Sequence, residues 1–241
     1  MLLLAAALAS CGAVHAQDAA TVERSATLKS MFPEQTANQL AVTLDPDTVV
    51  RFRIRVPKAD PPGGILVFVK PVDSGDLPKD WATILDRKNL IWIAADDFGN
   101  RRPSAQRVLV ALMALKLVQN TQAFDAKRVY VGGMSGGGRI ASTIMTRFPQ
   151  RFAGALYIVG ADPWTEAEQP LIPRIARNRY VFVTGSRDFN QGEMKRLFAK
   201  YQAAGMTQAM LMDLPGFGHE YPDAEQFGKA IDFLDARQAA R

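Results

Sequence analysis

Residues 128–141 read Arg-Val-Tyr-Val-Gly-Gly-Met-Ser-Gly-Gly-Gly-Arg-Ile-Ala. A short apolar run, Val129 to Val131, leads into Gly133-Met134-Ser135-Gly136-Gly137, and a helix-like stretch follows at once. The G-x-S-x-G spacing gains meaning from that context, because a serine on a sharp strand-to-helix turn is held out where a substrate can reach it. Glycine at positions 133 and 137 lets strand and helix approach closely, since neither carries a Cβ. The helix start then points free N–H groups, and the positive end of its dipole, at any oxyanion formed near Ser135. Taken alone, the pattern fits a plain tight turn equally well. A phosphate-binding loop fits worse, for the Gly-Lys-Ser/Thr ending and the G-x-G-x-x-G frame are both missing. The decision falls to whether a base and an acid follow.

The chain has two histidines, His15 and His219. His15 lies in an N-terminal segment expected to be removed, which leaves His219 as the candidate base. It stands in the Gly/Pro-rich stretch Pro215-Gly216-Phe217-Gly218-His219-Glu220-Tyr221-Pro222, between a strand-like run and a helix-like run. Loops of that kind commonly carry functional residues. Asp188 follows the apolar run Tyr180-Val181-Phe182-Val183-Thr184 and falls between Ser135 and His219, giving the order Ser, Asp, His. Three other carboxylates compete. Asp213 lies within a strand pattern, Asp223 reads as a helix N-cap, and Asp162 is the serious rival at another strand end.

These stretches resemble the α/β-hydrolase superfamily, and most resemble small secreted esterases of the polyhydroxybutyrate-depolymerase and feruloyl-esterase type. The matching pieces are Val131 to Ala141, Phe148 to Ala155, Thr184 to Asp188 and Gly218-His219-Glu220. The resemblance implies an acyl-enzyme mechanism. Ser135 attacks a carbonyl, His219 takes its proton, and Asp188 orients the imidazole. It also implies an oxyanion hole built from the N–H of Gly136 and a second donor in the loop after Val69. Here the chain departs from the family pattern, which often has His-Gly at that place. Pro71 has no N–H to give, so Val72 or Asp73 is expected instead, with Val72 taken as the candidate.

Length and composition fit one α/β domain over residues 17–241, with 241 residues in all and 48% hydrophobic. The net charge of +5 is spread through the chain. Alternation such as Arg51-Phe52-Arg53-Ile54-Arg55 reads as a strand with one solvated face rather than a nucleic-acid surface. No nucleic-acid partner is expected. Residues 1–16 read as an export signal, too short to span a bilayer. Val14-His15-Ala16 is the favoured cleavage site, and Leu8-Ala9-Ser10-Cys11 offers a lipobox as the alternative, the one route by which a membrane partner is expected. Cys11 is the only cysteine, so disulfides play no part. Without a Cys/His cluster at ligand spacing, neither a metal nor an organic cofactor is expected.

Strands are predicted near 49–56, 64–70, 90–94, 127–131, 154–159, 180–184 and 208–213, and helices near 79–87, 103–119, 136–147, 190–204 and 223–237. The alternation predicts a mostly parallel central sheet with helices on both faces. Ser135, Asp188 and His219 then fall at the C-terminal ends of strands, where open α/β sheets bind ligands. The stretch between Val159 and Tyr180 is too short for a large lid, which suits a soluble or polymer-linked ester. Trp164, Phe189, Phe217 and Tyr221 are candidates for the pocket wall, while Trp81 and Trp92 are expected in the core. A serine esterase is the leading reading. A peptidase or acyltransferase with the same residues is the second, and a binding protein of the same fold without chemistry is the third.

Overall fold

In chain order the computed structural model has β1 (Thr21–Ala26), α1 (Leu28–Met31), α2 (Glu34–Leu40), β2 (Val50–Arg55), β3 (Gly64–Val69), α3 (Ala82–Arg87), β4 (Leu90–Ala95) and α4 (Ser104–Thr121). The second half continues with β5 (Val129–Met134), α5 (Gly136–Arg147), β6 (Gly154–Ile158), α6 (Ile172–Ile175), β7 (Arg179–Gly185), α7 (Gln191–Ala203), β8 (Ala209–Leu214) and α8 (Ala224–Asp235). The structure describes residues 21–58 and 63–236. The expected export signal at 1–16, with Cys11 and His15, lies outside the described residues.

The strands form one sheet of eight in the order β1-β2-β4-β3-β5-β6-β7-β8. From β4 to β8 all neighbours run parallel, while β1 and β2 add an antiparallel edge. β3 shows how the sequence produces this. All six residues of Gly-Ile-Leu-Val-Phe-Val are buried, as a strand covered on both faces requires. Ile65, Val67 and Val69 enter one apolar cluster with α4, α5 and α7, whereas Leu66 and Phe68 enter the other with α3 and α8. The side-chain period of two thus divides one strand between two layers. Trp81 and Trp92 are fully buried in the second layer, where Trp81 stacks on Phe227 at 3.7 Å.

One difference from the sequence reading has a plain cause, and one expectation is met. β1 was not predicted, because five of its six residues are exposed and the strand has no apolar face. It is fixed instead by antiparallel pairing from Thr21↔Arg55 to Ala26↔Val50. Between β6 and β7 the chain makes only a 3-10 turn (Glu166–Leu171) and the single turn of α6, with Pro170 and Pro173 limiting longer helix there. No large lid is built from that segment.

Candidate active site

Ser135 links β5 to α5 with φ 53° and ψ −123°. A non-glycine residue in that region is strained by roughly 1–3 kcal/mol and is kept there only by its surroundings. Here they hold it from three sides. The Ser135 N–H donates to Ile158 O at 2.8 Å, and its carbonyl accepts from Arg139 N at 3.1 Å. A Cβ on Gly133 would lie 2.3 Å from the Gly137 carbonyl group, and one on Gly137 would lie 1.9 Å from Val69 O. Strand, helix and the end of β3 therefore meet at a distance only glycine permits, which accounts for the two glycines. Val159, just past β6, is also at positive φ (46°), rare for a β-branched residue. Its backbone is pinned by its own N–H to Val183 O (2.8 Å) and by Asn190 Nδ2 donating to Val159 O (2.7 Å).

Asp188 follows β7 and its side chain is fully buried. One oxygen, Oδ2, accepts from the Thr184 hydroxyl at 2.8 Å. The other, Oδ1, accepts from the Asn190 N–H at 3.1 Å and lies 2.9 Å from His219 Nδ1. His219 sits on the loop after β8, whose far end is tied by Trp81 Nε1 donating to Pro222 O at 2.8 Å. The structure thus brings Asp188 and His219 together. Asp162 is held elsewhere, 2.5 Å from Arg139 Nη1, and the same guanidinium makes a bidentate pair with Glu193. Asp213 accepts from Gln191 and Lys195, and Asp223 caps α8 through Gln226 N. Among the described residues Ser135 Oγ has no hydrogen-bond partner. Bonds of this kind are commonly long before substrate arrives.

The expected pocket residues separate by environment. Phe189 is 77% exposed and stacks on the His219 ring at 4.1 Å. Trp164 is buried against Tyr201 with Nε1 bonded to Gln169, and Phe217 is buried in the second apolar layer, so both are packing residues here. Tyr221 packs edge-on to Trp81, with a buried hydroxyl that has no partner among the described residues, and burial raises its pKa to about 12.

The surroundings of the Gly136 turn include one residue that the sequence reading named, Val72, and one that it missed, Arg107. Val72 is half-exposed and packs near Gly99. Arg107, only 5% exposed, donates to three carbonyls at once: Phe98 O (3.2 Å), Gly136 O (3.3 Å) and Lys70 O (3.0 Å). It joins the segments after β3 and β4 to the start of α5. Burial pulls its pKa below the usual guanidinium value. A lone arginine inside the apolar run of α4 was the available signal. No set of three or more His, Cys, Asp or Glu residues among those described is placed to hold a metal.

No family model matches the chain, and no curated protein matches it in sequence. Solved structures do. A thermostable esterase superposes with a TM-score of 0.61 at 16% identity, covering 88% of this chain and 60% of its own. The S-formylglutathione hydrolase of Staphylococcus aureus gives 0.63 at 12% identity, over 89% of this chain and 98% of that one. Acyl-protein thioesterase 2 of Zea mays gives 0.56 at 16% identity, over 76% and 96%. The fold is the α/β-hydrolase fold. Within it, Ser135, Asp188 and His219 follow β5, β7 and β8, all past the C-terminal ends of parallel strands. This chain spans only 60% of the length of the thermostable esterase but nearly all of the other two hydrolases.

Proposed function

We propose that this chain is a serine hydrolase that cleaves carboxylic esters through an acyl-enzyme on Ser135. The observation that carries the reading is the buried Asp188 bonded to His219 Nδ1, with a serine in a strained turn at the start of α5. With Nδ1–H given to Asp188, Nε2 is the basic nitrogen. It takes the Ser135 proton as Oγ attacks the ester carbonyl. The tetrahedral oxyanion is met by the Gly136 N–H and the dipole of α5. Collapse breaks the bond to the leaving alkoxide, which takes the proton from His219. Water, deprotonated by the same nitrogen, then releases the acid and regenerates Ser135. The short β6–β7 connection builds no large lid, which suits a small soluble or polymer-linked ester. Export of the chain belongs to the same proposal.

The test is turnover of p-nitrophenyl acetate by wild type, Ser135→Ala and His219→Ala, alongside labelling by a fluorophosphonate. Both variants are expected to lose turnover and Ser135→Ala to lose the label. Equal activity in wild type and Ser135→Ala would refute the mechanism. Labelling of Ser135 without turnover of any ester would move the reading to a peptidase or acyltransferase.

A further inference from the structure

The loop after β3 is a poor source of a second oxyanion donor. Pro71 has no N–H to give, and the atoms nearest a Cβ on Gly137 are Val69 O, Val69 C and the Lys70 carbonyl carbon. None of these is a donor. Val72, one residue beyond the proline, packs against Gly99 instead, where a Cβ on Gly99 would lie 2.6 Å from its carbonyl carbon.

Another group occupies the gap. A Cβ on Gly136 would fall 2.2 Å from Asn100 Oδ1 and 2.9 Å from Asn100 Nδ2. The Asn100 carboxamide therefore lies against the Cα of the residue whose N–H serves the oxyanion, and position 136 has no side chain that would displace it. Asn100 is exposed, and its carboxamide makes no hydrogen bond among the described residues. It is free to turn Nδ2 outward. Its backbone, by contrast, is fixed. Asn100 N donates to Pro71 O at 2.8 Å, Gly99 N donates to Asp73 Oδ1 at 3.0 Å, and Arg102 N donates to Gly99 O at 3.1 Å. The buried Arg107 holds Phe98, Lys70 and Gly136 together from below. A carboxamide with a free NH2, carried on a turn whose backbone is braced and in contact with Gly136, is placed where an oxyanion donor is needed.

We infer that the Asn100 side-chain amide is the second donor of the oxyanion hole, supplied from the β4 side where Pro71 removes a donor on the β3 side. The inference rests on the serine-hydrolase reading above. Asn100 is then a catalytic residue, since Nδ2 touches the reacting carbonyl oxygen only as it becomes an anion. Its loss acts on kcat and leaves ester binding nearly unchanged.

The experiment compares wild type, Asn100→Ala and Asn100→Asp for p-nitrophenyl acetate turnover, inhibition by phenylboronic acid, and melting temperature. The expected result is a fall in kcat of roughly 10²–10³-fold in both variants, the size found for removal of one such donor. KM stays within threefold, and affinity for the boronate, which forms a tetrahedral anion on serine, falls along with kcat. A kcat for Asn100→Ala within threefold of wild type would overturn the inference. So would a fall in kcat with unchanged boronate affinity, which marks a structural role. Wild type that neither turns over esters nor takes a fluorophosphonate label would sink the hydrolase reading itself, and the inference with it.

Discussion

Replacing Asp188 by Asn exchanges one carboxylate oxygen for an amide nitrogen at a site with no solvent exposure. The two ends of the new side chain are not equivalent. Nitrogen in the Oδ2 position faces the Thr184 hydroxyl, which can rotate to accept. Nitrogen in the Oδ1 position faces the Asn190 N–H, donor against donor, which costs about 1–3 kcal/mol. The carbonyl end is therefore expected toward His219, so Nδ1–H and the useful tautomer survive. What disappears is the negative charge opposite the imidazolium that forms as Ser135 reacts. Hydrogen bonds to charged groups exceed neutral ones by about 1–2 kcal/mol, and burial adds to the difference, giving roughly 3 kcal/mol. At 1.36 kcal/mol per tenfold this is a fall in kcat of about 10²-fold. Steady-state turnover of p-nitrophenyl acetate measures it, with circular dichroism melting to show the fold intact. Asp162→Asn, whose wild-type carboxylate serves Arg139, is the control and should stay within threefold. A loss smaller than threefold at Asp188 would refute its pairing with a working base. A loss of ~10⁴-fold would instead mean that the amide flips and imposes the wrong tautomer, against the Asn190 argument.

Other perturbations probe the frame around the site. Gly137→Ala drives a methyl to 1.9 Å from Val69 O, a backbone atom in a buried strand. It should lower stability by about 3 kcal/mol, read by denaturant unfolding, and lose turnover with it. Arg107→Met strands three carbonyls and should cost about 3 kcal/mol, roughly 6–12 °C in Tm by calorimetry. Arg139→Ala should cost about 1 kcal/mol at neutral pH, the groups being partly exposed. Its hydrogen bond holds the Glu193 carboxyl below the ordinary glutamate value of 4.5. The folded pKa is thus below the unfolded one, so this stabilisation is complete above about pH 4.5 and fades as pH falls through the folded value. The gap in unfolding free energy between wild type and Arg139→Ala should narrow in acid, and a constant gap from pH 7 to 3 would contradict the assignment.

How much of this was readable beforehand depended on where the information resides. The runs forming β3, β5 and β7 are buried on both faces, so their composition alone marks them as strands of a covered sheet. The Ser135 turn is equally local, since its glycines and its serine are adjacent in the chain. Asp188 and Asp162 could not be separated that way, because each follows a parallel strand. The separation is topological. β8 pairs with β7, which brings the His219 loop beside Asp188, while Asp162 at the end of β6 meets Arg139. Asn100 was invisible for a related reason, since its relation to Gly136 exists only once the segment after β4 packs on the turn after β5. β1 carries no apolar periodicity to detect; its pairing partner defines it.

β8 is the last strand of the sheet, and of its residues only Met212 is buried. Strands with so little buried surface detach at lower free-energy cost than the centre of a sheet. The nucleophile turn belongs to that centre, between β3 and β6, whereas His219 depends on the edge. Partial opening of β8 would therefore carry the base away from Asp188 while Ser135 kept its strained geometry. Catalytic competence and global foldedness are then separate thermodynamic properties. As denaturant rises, the imidazole's registry with its carboxylate should dissolve first, with amide exchange quickening along β8 while β5 is still protected.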